Sequence, residues 1–118
     1  MLYVLLCYAR EDEIMALSQD QDDALMAEHA RSAAPLLAQG KLGPTARLLP
    51  TSTATTLRRG AGPTTLDGPF SETKEQLLGF YVVDCETLEE AIELGRPFVH
   101  PSGAIEVRPV MQFEPGTL

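Results

Sequence analysis

Hydrophobic and polar positions alternate along this chain in segments of different period. Leu2 to Tyr8 is almost wholly apolar and rich in strand formers, and it stops at the charged cluster Arg10 to Glu13. A run without polar alternation predicts a central strand buried on both faces or across an interface. Ser18 with Gln21 three residues on has the form of a capping box, and Asp20, Asp22 and Asp23 suit the positive end of a helix dipole. A helix is therefore expected to about Gln39, with Gly40 as its C-cap. At 100° per residue, Leu25, Leu36, His29, Ala33, Met26, Leu37 and Ala30 share one apolar arc. Pro35 cannot donate to the Arg31 carbonyl, which predicts a kink or an early end near Ala34.

Two short strand-like runs follow, Ala46 to Leu49 and Thr53 to Arg58, separated by Pro50. Gly60-Ala61-Gly62-Pro63 reads as a turn, and Thr64 to Asp67 as the return strand of a hairpin. Gly68-Pro69 breaks it, Ser71-x-x-Lys-Glu suggests one helical turn through Leu78, and Gly79 to Asp84 is the second strong strand. Thr87 with Glu90 opens a helix whose stripe is Leu88, Ala91, Ile92 and Gly95, and which ends before Pro97. Ala104 to Met111 alternates and predicts a last, half-buried strand. The order gives an α+β fold of ferredoxin-like βαββαβ type in a single domain. Two helices cover one sheet face, so apolar residues on the other predict a homodimer.

Composition narrows the function classes. Nine basic against 17 acidic side chains give a net charge of −8 in 118 residues, which argues against nucleic acid as a partner. No apolar run reaches the roughly 18 residues that span a bilayer. The opening residues lack the length and basic flank of a signal peptide, so the cytoplasm is the expected compartment. Cys7 and Cys85 lie in apolar, strand-like runs, where a thiol is most often a small buried hydrophobe. Charge is also segmental: residues 31 to 60 hold Arg31, Lys41, Arg47, Arg58 and Arg59 and no acid, between two acidic stretches. Either solvated faces alternate, or the basic segment meets an acidic element or lines an anion-binding cleft.

The stretch from Asp67-Gly68-Pro69-Phe70 through Gly79-Phe80-Tyr81 resembles the signature of the DGPF-containing branch of the YCII-related family. Met1 to Leu6, Thr53 to Arg58 and Ile105 to Met111 are similar to it too. The resemblance covers nearly the whole chain and implies a ferredoxin-like fold in a dimeric α+β barrel. In YCII-like proteins a His and Asp pair in a cleft has been proposed as an active site, and some DGPF members are encoded beside extracytoplasmic-function sigma factors.

His29 lies on the apolar arc, either as a core histidine or facing a cleft, where its titration suits general acid/base work. Its spacing to Gly40 resembles that of the helical histidine in the family. No carboxylate lies between His29 and Asp67, so Asp67 is the candidate partner; alternatively it initiates a turn. Phe70 would then plug the core, and Arg58 and Lys74 pair with Asp67 or hold an anionic substrate. His100 reads as loop. Two histidines without Cys or carboxylate at ligand spacing give no metal site, and no phosphate loop, dinucleotide fingerprint or nucleophile elbow implies a cofactor. Two function classes remain. One is a protein that binds or transforms a small anionic molecule near His29; the other is a non-catalytic regulatory module, associated with an extracytoplasmic-function sigma factor.

Overall fold

The computed structural model describes residues 1–62 and 64–118; of the expected turn at Gly60 to Pro63, Pro63 lies outside them. The described residues form six strands and three α-helices: β1 (Leu2–Arg10), α1 (Glu11–Met15), α2 (Gln19–Ala38), β2 (Leu42–Arg47), β3 (Thr55–Leu57), β4 (Thr65–Asp67), β5 (Glu75–Asp84), α3 (Leu88–Gly95) and β6 (Ala104–Pro109). The main sheet runs β2-β5-β1-β6 with every neighbour antiparallel. That is the ferredoxin-like order, with the β3–β4 hairpin inserted between the second and third strands of the repeat.

The alternation of β1 divides the sheet's two faces. Tyr3 and Leu5 face the helices and form the core with Val83, Cys85 and Ala91, backed by Leu42, Tyr81, Leu94, Ile105 and Val107. Val4 and Leu6 face the other way, opposite Val82 and Phe80 on β5 and Arg108 and Glu106 on β6. A register shift between Cys7 and Tyr8 brings Tyr8 opposite Leu77.

Local chemistry explains both long helices. The Ser18 hydroxyl accepts from the Gln21 N–H at 3.1 Å while the Gln21 side chain accepts from the Ser18 N–H at 2.9 Å, closing the capping box. Gly40 ends the segment at φ +67, a conformation that costs other residues a clash with Cβ. At α3, Thr87 accepts from the Glu90 N–H. The Glu90 carboxylate bonds the Glu86 N–H and the Lys41 ammonium instead of the cap backbone.

Several sequence-based expectations are corrected. No helical turn forms over residues 71–78: β5 begins at Glu75, because Glu75, Gln76 and Leu77 find ladder partners in Arg10, Ala9 and Tyr8. Helix α2 does not stop near Ala34 but continues through Pro35 to Ala38. The apolar arc is narrower than expected, since Leu36 is buried but Leu37 is 63% exposed. Phe70 is 75% exposed and plugs nothing. The strand expected over residues 46–49 is β2, shifted toward the N-terminus. The charged cluster after β1 forms the short helix α1, whose Glu11 carboxylate accepts from the Thr51 N–H at 2.8 Å and from the Thr51 hydroxyl.

Candidate functional site

Two ion pairs show where the basic middle segment goes. Arg47, at the end of β2, makes a two-point contact with Asp22 on α2 at 2.6 and 3.0 Å, and Lys41 meets Glu90 on α3 at 2.7 Å. The Arg47 pair tethers α2 to the sheet edge and holds the Asp22 carboxyl below its ordinary range, chiefly through the hydrogen bonds. Seven residues on from Asp22, two helical turns along the same face, stands His29.

His29 is half-buried in a cavity of about 90 Å³ between α2 and the sheet, whose walls include Cys7, Met26, Arg47, Tyr81, Phe98 and His100. The Phe98 ring meets the imidazole edge-on with centroids 5.8 Å apart and stacks on Tyr81 at 4.3 Å. The Tyr81 oxygen is 3.4 Å from His29 Nδ1, a long hydrogen bond. Burial pushes the imidazole below its ordinary value of 6.5, with smaller contributions in the same direction from Arg47 and His100 and an opposing one from Glu28. The shift favours the neutral ring; with the Tyr81 hydroxyl as donor to Nδ1, the ring proton sits on Nε2. Burial likewise raises Tyr81 and pushes the Cys7 thiol up to about 11. Cys7 is therefore a wall of the cavity rather than a thiolate nucleophile.

His100 is held differently. Its Nδ1 accepts the Ser102 N–H at 3.1 Å and lies 2.7 Å from the Ser102 hydroxyl, which places its proton on Nε2 as well. A neutral imidazole has one donor and one acceptor nitrogen, so His29 can exchange a proton with a small bound molecule. The space is smaller than the roughly 150 Å³ engineered cavity that holds benzene, which limits an occupant to a few heavy atoms unless the walls move.

Of the four site residues chosen from the sequence, His29 alone lines this cavity among the described residues. Asp67 ends β4, paired with Thr55 on the exposed hairpin. Arg58 follows β3 with its guanidinium 5.0 Å from the Phe70 ring centre. Lys74 lies exposed in a surface groove with Glu11, Asp12 and Glu72. The sequence does not single out Tyr81 or Phe98, and it offers Arg47 only as part of the basic segment and His100 only as loop. The signal for Tyr81 is the two-residue alternation from Val83, which sets it on the helix-facing side of β5. Among the described residues no group of three or more His, Cys, Asp or Glu side chains is placed to hold a metal ion, and no helix is long and apolar enough to cross a membrane.

Comparison with known proteins adds two findings. The family described as YCII-related domain matches residues 1–114. An uncharacterized protein of Rhizobium meliloti (strain 1021) is 48% identical over 122 residues, covering 100% of this chain and 98% of that one.

Proposed function

The chain belongs to the YCII-related family, and on that premise we propose that it binds a small anionic molecule in the cavity beside α2 and moves a proton on it through His29. The observation that carries this is a half-buried imidazole set among apolar walls, its neutral form favoured by burial and its Nδ1 facing the Tyr81 hydroxyl. A buried histidine satisfied only as a core residue needs no second histidine and no arginine on the same cavity wall. Arg47 is the cation on that wall, its charge already shared with Asp22. The roles of Asp67 as imidazole partner and of Arg58 and Lys74 as anion holders belong to this proposal only as contacts between two chains, because within one chain they stand off the cavity. The chain then acts as a homodimer joined through the open sheet faces, where Val4, Leu6 and Phe80 are half-buried.

Thermal-shift measurements with short carboxylic acids, set against their uncharged amides, test the binding step. The expected result is a rise in Tm with the acids that is absent in His29→Asn. No shift with any acid, or a shift that ignores His29, would leave the competing reading: a non-catalytic interaction module, tied to an extracytoplasmic-function sigma factor. The specific feature in favour of that reading is the exposed β3–β4 hairpin.

A further inference from the structure

The hairpin stands apart from the main sheet. Strands β3 and β4 pair with each other and, among the described residues, with no strand of the main sheet. Leu57 is 74% exposed and Leu66 48%, and Phe70 beyond them is 75% exposed with the Arg58 guanidinium over its ring. Beside the hairpin's base, Tyr8, Leu48, Leu49, Pro50, Phe70 and Leu77 line an open groove of about 620 Å³.

The whole chain carries more surface than a monomer of its size. Its accessible area is 8297 Å², against roughly 6,300 Å² expected for a folded chain of this mass. Its radius of gyration is 15.9 Å, against about 13.5 Å for a compact domain of this length. The excess of roughly 2,000 Å² includes the projecting hairpin and the exposed residues after β6, and it is of the size that one partner contributes to a large, permanent dimer interface.

We infer that the β3–β4 hairpin is an arm that seats its apolar side chains on the open sheet face of a second copy of this chain. The inference rests on the homodimer put forward above and says how that dimer is clasped. Self-complementarity favours a second copy over a foreign partner, because one chain carries both the projecting residues (Leu57, Leu66) and an apolar face, with a groove edged by Phe70, to receive them. A two-fold interface requires both on the same chain. Charge agrees: the hairpin segment 55–67 holds two of the chain's nine bases and one of its 17 acids, so a cationic arm meets an anionic body.

The test exploits the hairpin's closed base, where the Gly68 N–H donates to the Ala54 carbonyl at 2.8 Å. Replacing Thr55 to Asp67 with a two-residue Asn-Gly turn should leave the sheet and helices in place. Sedimentation velocity from nanomolar to high micromolar concentration then compares this variant with the full chain. The expected result is a dimeric full chain and a variant whose dimer dissociates about 30-fold more readily or more. A variant that dimerises as tightly as the full chain overturns the arm and leaves the dimer standing; a monomeric full chain overturns both. If circular dichroism shows the shortened variant unfolded, Leu57→Ser with Phe70→Ser decides in the same terms, since both side chains are exposed and removing them leaves no void.

Discussion

Strands β1 and β3 both consist largely of strand-forming residues, apolar in β1 and threonine-rich in β3, and have opposite fates. Tyr3 and Leu5 of β1 lie in the core, Leu5 with no exposed surface, while Leu57 of β3 is three-quarters exposed. Position in the sheet separates the leucines of the two strands, whose propensity is the same. Strand β1 is central, with β5 on one side and β6 on the other and helices over one face, whereas β3, among the described residues, pairs only with β4 and leaves Thr55 and Leu57 exposed. A two-stranded ribbon is marginal by itself in water, so the hairpin's order has to draw on contacts beyond its own pair, which is the physical content of the arm.

Breaking the comparison at the core gives the largest effect. Leu5→Ala should cost about 2–5 kcal/mol of unfolding free energy in urea titrations, the transfer term plus the void left behind. Leu57→Ser, measured in dilute protein, should stay within about 0.5 kcal/mol. Equal losses at the two positions would mean that the hairpin is part of the folded core of a single chain.

The site can be stressed next, at Gly79. It is buried where β5 passes β2, and an added Cβ would stand 2.5 Å from the Ala46 carbonyl oxygen. Since backbone must give way, Gly79→Ala should destabilise by about 1–3 kcal/mol. It should also perturb the chemical shifts of Tyr81 and His29 across the cavity. Normal stability in a thermal or urea melt would show the β2–β5 contact to be looser than described.

These contrasts also separate what the amino-acid order makes legible from what it hides. Ser18 with Gln21 and Thr87 with Glu90 announce helix starts because capping chemistry is local, and the apolar run from Leu2 announces the central strand. Residues 75–78 do not announce a strand. Their pairing with Tyr8 to Arg10 lies far away in sequence, and Ser71 with Lys74 and Glu75 imitates the start of a helix. At the site, His29 stands out because an imidazole on an apolar helical arc is unusual. Tyr81 and Phe98 look like ordinary core residues, and His100 looks like loop, until the fold brings strand, helix and turn to one cavity. Asp67, Arg58 and Lys74 cluster in sequence around the hairpin, and that nearness does not carry them to His29 in a single chain.

A smaller effect distinguishes the site from the exposed surface by pH. Because the folded value of His29 lies below the unfolded one, the unfolded chain binds the proton first as pH falls. The stabilising contribution of the neutral ring is complete above about 6.5 and is lost as pH drops from there toward the folded midpoint. Urea melts across this window should show the loss in the parent chain and not in His29→Leu. Identical pH profiles would remove His29 from the linkage.

The most direct measurement is a nitrogen-detected NMR titration of the His29 ring in the dilute, full-length chain. The expected midpoint lies below 6.5, with the neutral form protonated at Nε2. Tyr81→Phe should move that midpoint upward, because the hydroxyl bond to Nδ1 favours the neutral ring. Asp67→Asn should leave it unchanged until the chains associate. A midpoint at or above 6.5, or a neutral ring protonated at Nδ1, would contradict the cavity as described and the proton-transfer role built on it.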